Sequence, residues 1–214
     1  YLFGLNMPGG LRRDFSPEDC KTLLNAVDSA ERELHRLEDR LRYTSSFLDR
    51  LEDVGSIDTE TARDLDLLGP VGRASGLAND LRKVCPYVGY TDYTFDVASE
   101  KEGDGYARLR VLFFEARQSV SLIHQALESL PSGEIRVLFE NPPAGTTMGW
   151  VEAPVGAAVH WLRINEAGLI ERYRIMTASF RNWLGLHAAV ENFSFQDFPI
   201  ILATFGLSVA ECDR

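Results

Sequence analysis

Two stretches of this chain carry apolar residues at alternating intervals of three and four, and that spacing restricts the fold more than any other feature. In the first, Leu23, Val27, Ala30, Leu34, Leu37 and Leu41 fall on one face of a helix. Ser16 precedes it as an N-cap, Pro17 takes the first helical position, and Glu18 and Asp19 sit in the electropositive first turn. The second stretch opens at Asp104 and carries Leu109, Leu112, Ala116, Val120, Ile123, Leu127 and Leu130 before Pro131 and Gly133 end it. Two long helices with matching stripes predict an antiparallel bundle. Glu31, Arg32, Glu38, Asp39 and Arg42 cover the outer face of the first as a solvated surface.

Around this pair the pattern is more varied. Asn6 to Gly10 reads as a turn. Asp58 caps a shorter helix running to about Leu67, where Gly69-Pro70 stops it, and residues 69–93 read as an irregular, well-packed connection. Beyond Pro143 the period changes to two, with strands expected over 149–154, 156–164 and 169–177 and a hairpin turn at Asn165-Glu166-Ala167-Gly168. Residues 178–192 and 197–205 return to helix. The fold class is therefore α+β and predominantly α. A helical bundle region over 1–133 carries a small antiparallel sheet and C-terminal helices over 134–214, packed as one integrated domain.

Charge and cysteine usage exclude several functions. With 32 acidic against 22 basic residues, the chain repels phosphate backbones, so nucleic acid is not an expected partner. The longest apolar run, residues 198–205, is far short of the roughly 20 residues a membrane helix needs, so no direct membrane insertion is expected. The first residue is Tyr1 and no signal peptide is evident, which reads as a fragment or a processed product. Cys20, Cys85 and Cys212 form no C-x-x-C pair, and His35, His124, His160 and His187 have no ligand spacing. Residues 69–76, GPVGRASG, lack the Lys-Ser/Thr of a P-loop. One concentration stands out. Arg73, Asp80, Arg82, Asp104, Arg108 and Glu115 lie among Gly, Pro and apolar residues, where charges are commonly buried and paired. They read either as a structural salt-bridge network or as the lining of a polar cavity.

The same segments carry a family resemblance. Met7-Pro8-Gly9-Gly10-Leu11 resembles the Gly-Gly turn that precedes the bundle in complex I 49-kDa subunits. Gly69-Pro70-Val71-Gly72-Arg73-Ala74-Ser75-Gly76, then Asp80-Leu81-Arg82-Lys83 and Pro86-Tyr87-Val88-Gly89-Tyr90, looks like their GP-x-x-RASG…D-x-R…PY-x-x-Y signature. Gly103 to Arg108 with Glu115 and Ser119, Glu152-Ala153-Pro154 with Gly156, Arg172-Tyr173-Arg174-Ile175, and the ending Ala210 to Arg214 follow in family order. The chain thus resembles the superfamily of nickel–iron hydrogenase large subunits and the 49-kDa subunits of complex I (NADH-quinone oxidoreductase), in a form related to formate hydrogenlyase. The resemblance adds Glu152, Glu211, Asp213 and Arg214 to the candidate ionic network and cavity lining.

Departures from the family pattern qualify what this implies. Where the hydrogenases place D-P-C-x-x-C, this chain has Gly206, Leu207, Ser208 and Glu211, with Cys212 one position off register. Ser208 and Glu211 thus replace nickel-ligand cysteines, and neither can bridge metals as a thiolate does. Val155 and Ala157 stand where the family usually has a basic and an acidic residue. The resemblance therefore implies a C-terminal fragment of a subunit on the cytoplasmic side of a membrane complex, peripheral and with its nickel site lost. It would shape a quinone-type, electron-accepting cavity beside an iron–sulfur small subunit and other subunits. For the whole complex it implies oxidoreductase chemistry of NADH dehydrogenase or hydrogenase type, with NAD and quinone binding. The fragment is expected to hold no cofactor, and the quinone and the neighbouring iron–sulfur cluster are implied only by the resemblance. A nickel–iron hydrogenase subunit and a non-catalytic assembly module are the alternatives. An upstream R-x-C-x-x-C or H-R-G-x-E would separate them. Phe198, Ile200, Ile201 and Phe205 are candidates either for a partner interface or for the chain's own core.

Overall fold

The structure, a computed structural model, describes residues 5–138 and 142–212. Helix α1 spans Pro17–Arg42 and begins with a reciprocal cap. Ser16 Oγ accepts from the Asp19 N–H at 3.1 Å, and the Asp19 carboxylate accepts from the Ser16 N–H at 3.0 Å. The second long helix, named α6 by its place in the chain, spans Gly105–Glu128. Asp104 caps it and ties it to an earlier loop: Oδ1 accepts from the Ala107 N–H at 2.7 Å, and Oδ2 accepts from the Asp53 N–H at 2.8 Å. Asp28 meets His124 at 2.9 Å and Glu38 pairs with Arg117, so the helices run antiparallel. No residue of α1 is buried, whereas α6 buries Ala107, Arg108, Val111, Phe113 and Leu122.

Before α1, strands β1 (Asn6–Met7) and β2 (Gly10–Leu11) form a minimal hairpin, so the expected turn there has paired flanks. Between the long helices lie α2 (Ser45–Leu48), α3 (Thr59–Asp64), α4 (Gly69–Ala74) and α5 (Leu81–Val84). The segment expected to be irregular therefore holds two short helices. Its Gly and Pro residues permit them: Pro70 lies in the first turn, where its missing N–H is not needed. Gly72 lets the helix close on the preceding turn, since a Cβ there would lie 2.5 Å from the Leu67 carbonyl oxygen. All six residues of α4 are buried.

The antiparallel sheet has strand order β3 (Gly145–Ala153), β4 (Gly156–Ile164), β5 (Ile170–Met176). Strand β3 starts earlier than its sequence pattern indicates. Gly145 to Met148 are all exposed, yet they pair in register with Ile164 to Trp161. Helix α7 (Ala178–Val190) follows, with Thr177 Oγ1 accepting from the Phe180 N–H at 3.3 Å. Buried Asn182 joins α7 to α4: its Nδ2 donates to the Leu68 carbonyl at 3.0 Å and its Oδ1 accepts from the Leu68 N–H at 2.9 Å. Helix α8 (Phe198–Phe205) closes on Gly206 in the left-handed conformation, φ 61°. The main core gathers Ile57, Ala62, Leu67, Val71, Leu186, Ala189, Ile201 and Phe205 from α3, α4, α7, α8 and the segments flanking α3. Of the proposed interface residues, Ile201 and Phe205 therefore belong to the chain's own core, while Phe198 is exposed.

Candidate functional site

Arg73 lies in the last turn of α4, and its side chain is 1% exposed. Its Nε donates to Glu115 Oε1 at 2.5 Å; its Nη1 donates to Glu152 Oε1 at 2.9 Å and to the Asn79 carbonyl at 2.8 Å. Asp80 Oδ2 is 3.8 Å from the same Nη1. Asp80 also caps α5 and holds Arg82 from two sides: Arg82 Nε donates to Oδ1 at 2.9 Å and Nη2 to Oδ2 at 2.6 Å. Glu152, from β3, completes the set. Its Oε2 accepts from the Leu81 N–H at 3.1 Å, and its own N–H donates to the Tyr87 hydroxyl at 2.8 Å. Two guanidiniums and three carboxylates thus tie α4, α5, α6 and β3 together.

The electrostatics follow from this geometry. Burial lowers the proton affinity of Arg73, but the Glu115 and Glu152 charges outweigh it and hold the guanidinium more firmly protonated than an ordinary arginine. Burial pushes the Asp80 carboxyl up, and the hydrogen bonds and charge of Arg82 bring it below the usual carboxylate range. For Glu115 the balance is opposite: burial raises its pKa and Arg73 only partly offsets the rise. Arg82 is held protonated chiefly by its hydrogen bonds to Asp80, and its guanidinium lies 5.0 Å from the Phe95 ring centroid.

Cavities flank the network. One of about 330 Å³ is lined by Arg73, Arg82, Tyr90, Glu115, Ser119 and Glu152, among others. A second, of about 530 Å³, shares Arg82, Tyr90 and Ser119 and continues between Tyr87, Tyr93, Leu122 and Ile123. A third, of about 290 Å³, lies behind Asp80 and Glu152 against Gly69, Val84 and Ala157. One end of this space is therefore charged and the next aromatic and aliphatic, an arrangement that accommodates an amphipathic molecule.

Arg108 and Asp104 lie apart from this set. Arg108 is fully buried; its Nη1 donates to the Gly55 and Gly103 carbonyls at 3.0 and 2.7 Å, and its Nε to Thr204 Oγ1 at 3.0 Å. The guanidinium sits 4.6 Å from the Phe205 ring centroid, and burial, opposed by the Asp104 charge, brings its pKa down to about 10. It joins the loops flanking α6 to α8. The Glu211 carbonyl accepts from Thr177 Oγ1 at 3.1 Å, and its Oε2 is buried without a partner among the described residues. Asp213 and Arg214 lie outside the described residues. Tyr87 and Asn79 are missing from the sequence-derived set, although Tyr87 stands in the quoted PY-x-x-Y motif. Asn79 contributes only a backbone carbonyl, which no residue type announces.

Where the resemblance would place the hydrogenase cysteines, the Ser208 N–H donates to Ser179 Oγ at 3.1 Å, and Cys212 Sγ donates to the Ser208 carbonyl at 3.4 Å. Among the described residues no three His, Cys, Asp or Glu side chains converge as metal ligands. One thiol, one hydroxyl and one carboxylate do not fit a nickel centre that relies on paired thiolates. Val155 packs beside Gly206, its Cγ1 3.6 Å from where a Cβ there would stand.

Residues 4–142 and 138–214 match the family model for the respiratory-chain NADH dehydrogenase 49 Kd subunit. The chain belongs to this family. It is 32% identical over 99% of its length to formate hydrogenlyase subunit 5 of Escherichia coli, spanning 37% of that protein. It is 34% identical over 96% of its length to an NADH-quinone oxidoreductase subunit of Akkermansia muciniphila, spanning 56% of it. A solved structure of the membrane-bound sulfane sulfur reductase, an archaeal respiratory membrane complex, contains a chain that superposes with a TM-score of 0.91 at 27% identity. The match covers 97% of this chain and 59% of that one. The chain therefore spans between about a third and three fifths of these relatives. Both family branches expected from the motifs, complex I-like and formate hydrogenlyase-type, are represented among them.

Proposed function

We propose that this chain is part of a large subunit of a membrane-associated oxidoreductase, in which the ionic network lines an electron-accepting cavity of quinone type. The observation that carries this reading is the continuity of the charged cavity at Glu115 with the tyrosine-walled cavity at Tyr87 and Tyr93 through the shared residues Arg82, Tyr90 and Ser119. A polar head group finds hydrogen-bonding partners at one end, and an apolar body finds Leu122 and Ile123 at the other. The relatives' membership of multi-subunit respiratory complexes supports a peripheral position beside an iron–sulfur subunit, on the cytoplasmic side. No helix of the described residues is long and apolar enough to cross a membrane. Exposed Met148, Leu169, Ile170 and Tyr173 on or beside the sheet supply apolar surface for neighbouring subunits.

The hydrogenase alternative draws on the formate hydrogenlyase relative, but Ser208 and Glu211 make poor nickel ligands. Native purification of the full-length protein from membranes, with metal analysis and identification of co-purifying chains, tests the proposal. Iron without nickel and an iron–sulfur partner is the expected result. Stoichiometric nickel would overturn the loss of the metal site. Absence of both partners and iron would overturn the oxidoreductase assignment.

A further inference from the structure

The network is not balanced. Asp80, Glu115 and Glu152 face only Arg73 and Arg82, so one carboxylate is in excess. The three carboxylates differ in how they are used. Asp80 binds Arg82 with both oxygens, and Glu152 binds Arg73 with one and the Leu81 N–H with the other. Glu115 accepts from Arg73 through Oε1 alone, and its Oε2 has no hydrogen-bond partner among the described residues. Its side chain is 16% exposed, against 1% for Asp80 and 5% for Glu152, and it opens onto the 330 Å³ cavity.

The groups around Glu115 come from every neighbouring element. Arg73 approaches from α4, Asp80 and Arg82 from the start of α5, Glu152 from β3, and Tyr90 from the loop after α5. On α6 itself Leu112, Ala116 and Ser119 line the cavity, and the Ser119 hydroxyl donates back to the Glu115 carbonyl at 2.8 Å. Lys83, next to Arg82, is exposed, lies over the Phe95 ring at 4.0 Å, and forms no ion pair with Asp80, Glu115 or Glu152 among the described residues. An excess negative charge with little access to water is relieved most readily by binding a proton. The open oxygen on the cavity is where that proton can arrive.

We propose that Glu115 is a proton-binding site through which the ionic network exchanges one proton with the cavity. A hydronium ion or an acidic group of a cavity ligand gives its proton to Oε2, and the carboxylate becomes a carboxylic acid. No other bond breaks, and the five groups pass from one net negative charge to neutrality. Arg73 keeps its Nε–H, and its charge is then matched by Glu152 and Asp80. The upward pKa of Glu115 agrees with this direction. The identity of the proton donor rests on the function proposed above; the carboxyl can be examined apart from it.

The test is a pH titration of the full-length protein carrying carbon-13 at every glutamate side-chain carboxyl, followed by carbon NMR or isotope-edited infrared spectroscopy. One labelled carboxyl should titrate above the ordinary glutamate range of about 4 to 5. That signal should vanish in Glu115→Gln. It should also vanish in Glu115→Asp, which keeps an acid in place but carries no label. Ordinary titration of every labelled glutamate in the wild type would overturn the proposal without recourse to a variant, as would survival of the raised signal in Glu115→Asp. A protein that loses its redox partners but keeps the raised carboxyl refutes the proposed function alone; one that keeps its partners with an ordinary Glu115 refutes the proton site alone.

Discussion

Replacing Arg73 by Ala tests the energetic weight of the network directly. The side chain is 1% exposed and makes three hydrogen bonds, to Glu115, Glu152 and the Asn79 carbonyl. Its removal strands Glu152 Oε1 in a nearly water-free position, while Glu115 retains relief through the cavity. Breaking one partner out of a buried pair costs about 3–5 kcal/mol, and the relief available to Glu115 places Arg73→Ala toward the lower end. The assay is urea unfolding of the full-length protein, read as a change in midpoint at unchanged slope. A second variant separates charge from packing. Arg73→Met combined with Glu115→Gln and Glu152→Gln removes all three charges at similar volume, and it should recover most of the loss. A loss below about 1 kcal/mol for Arg73→Ala, the value of an exposed pair, would refute the buried-network reasoning. So would a triple variant no more stable than the single one.

Other expectations rest on single features. Asp104→Ala removes the cap of α6 and the bond to the Asp53 N–H and should cost about 1–2 kcal/mol in the same urea experiment; Asp104→Asn keeps one acceptor oxygen for the Ala107 N–H but sets an Nδ2 donor against the Asp53 N–H, so it should recover only part of that loss. Gly69→Ala places a Cβ 2.2 Å from the Val155 carbonyl oxygen at φ 64°, so it should lower the melting temperature far more than Gly149→Ala, where a Cβ meets nothing within 4 Å. The pH dependence divides by sign. Asp80 has a lowered pKa, so its contribution is present above the unfolded carboxylate value and is lost as pH falls through the folded one. Glu115 has a raised pKa, so its contribution is complete below the unfolded value and is lost as pH rises through the folded one. Stability measured against pH should therefore lose a declining limb on the alkaline side of the glutamate range in Glu115→Gln, while the acid limb due to Asp80 remains.

The long helices were legible because their apolar positions repeat over many turns and their starts carry strong caps at Ser16 and Asp104. Helix α4 was not, because Gly69, Pro70 and Gly72 ordinarily end helices, a preference that burial of the whole element overrides, and α5 was not, because its four residues are too few to show a helical period. The early half of β3 was hidden because both its faces are exposed, which removes the alternation on which strand recognition depends. Charges set among Gly and apolar residues marked Arg73, Asp80, Arg82 and Glu115, while Glu152 entered through the family motif. The division of Arg108 from that set was not visible. A buried guanidinium can be partnered by backbone carbonyls, as Arg108 Nη1 is at Gly55 and Gly103, and these leave no trace in side-chain composition.

The apolar replacements at Val155 and Ala157 and the charged network are mechanically connected. Glu152 lies three residues before Val155 on the same hairpin, and the turn that follows presses its backbone against Gly69 at the start of α4. Gly69 and Arg73 are the first and fifth residues of that helix, so the turn and the network grip one short, wholly buried element from its two ends. Val155 meanwhile reaches Gly206, which closes α8. Apolar packing at Val155 therefore joins the hairpin to the end of α8, and the hairpin in turn holds Glu152 at 2.9 Å from Arg73. The apolar side of the hairpin at Val155 and its charged side at Glu152 thus share a backbone frame but no bonding partners, so packing at one leaves the ionic lining at the other intact.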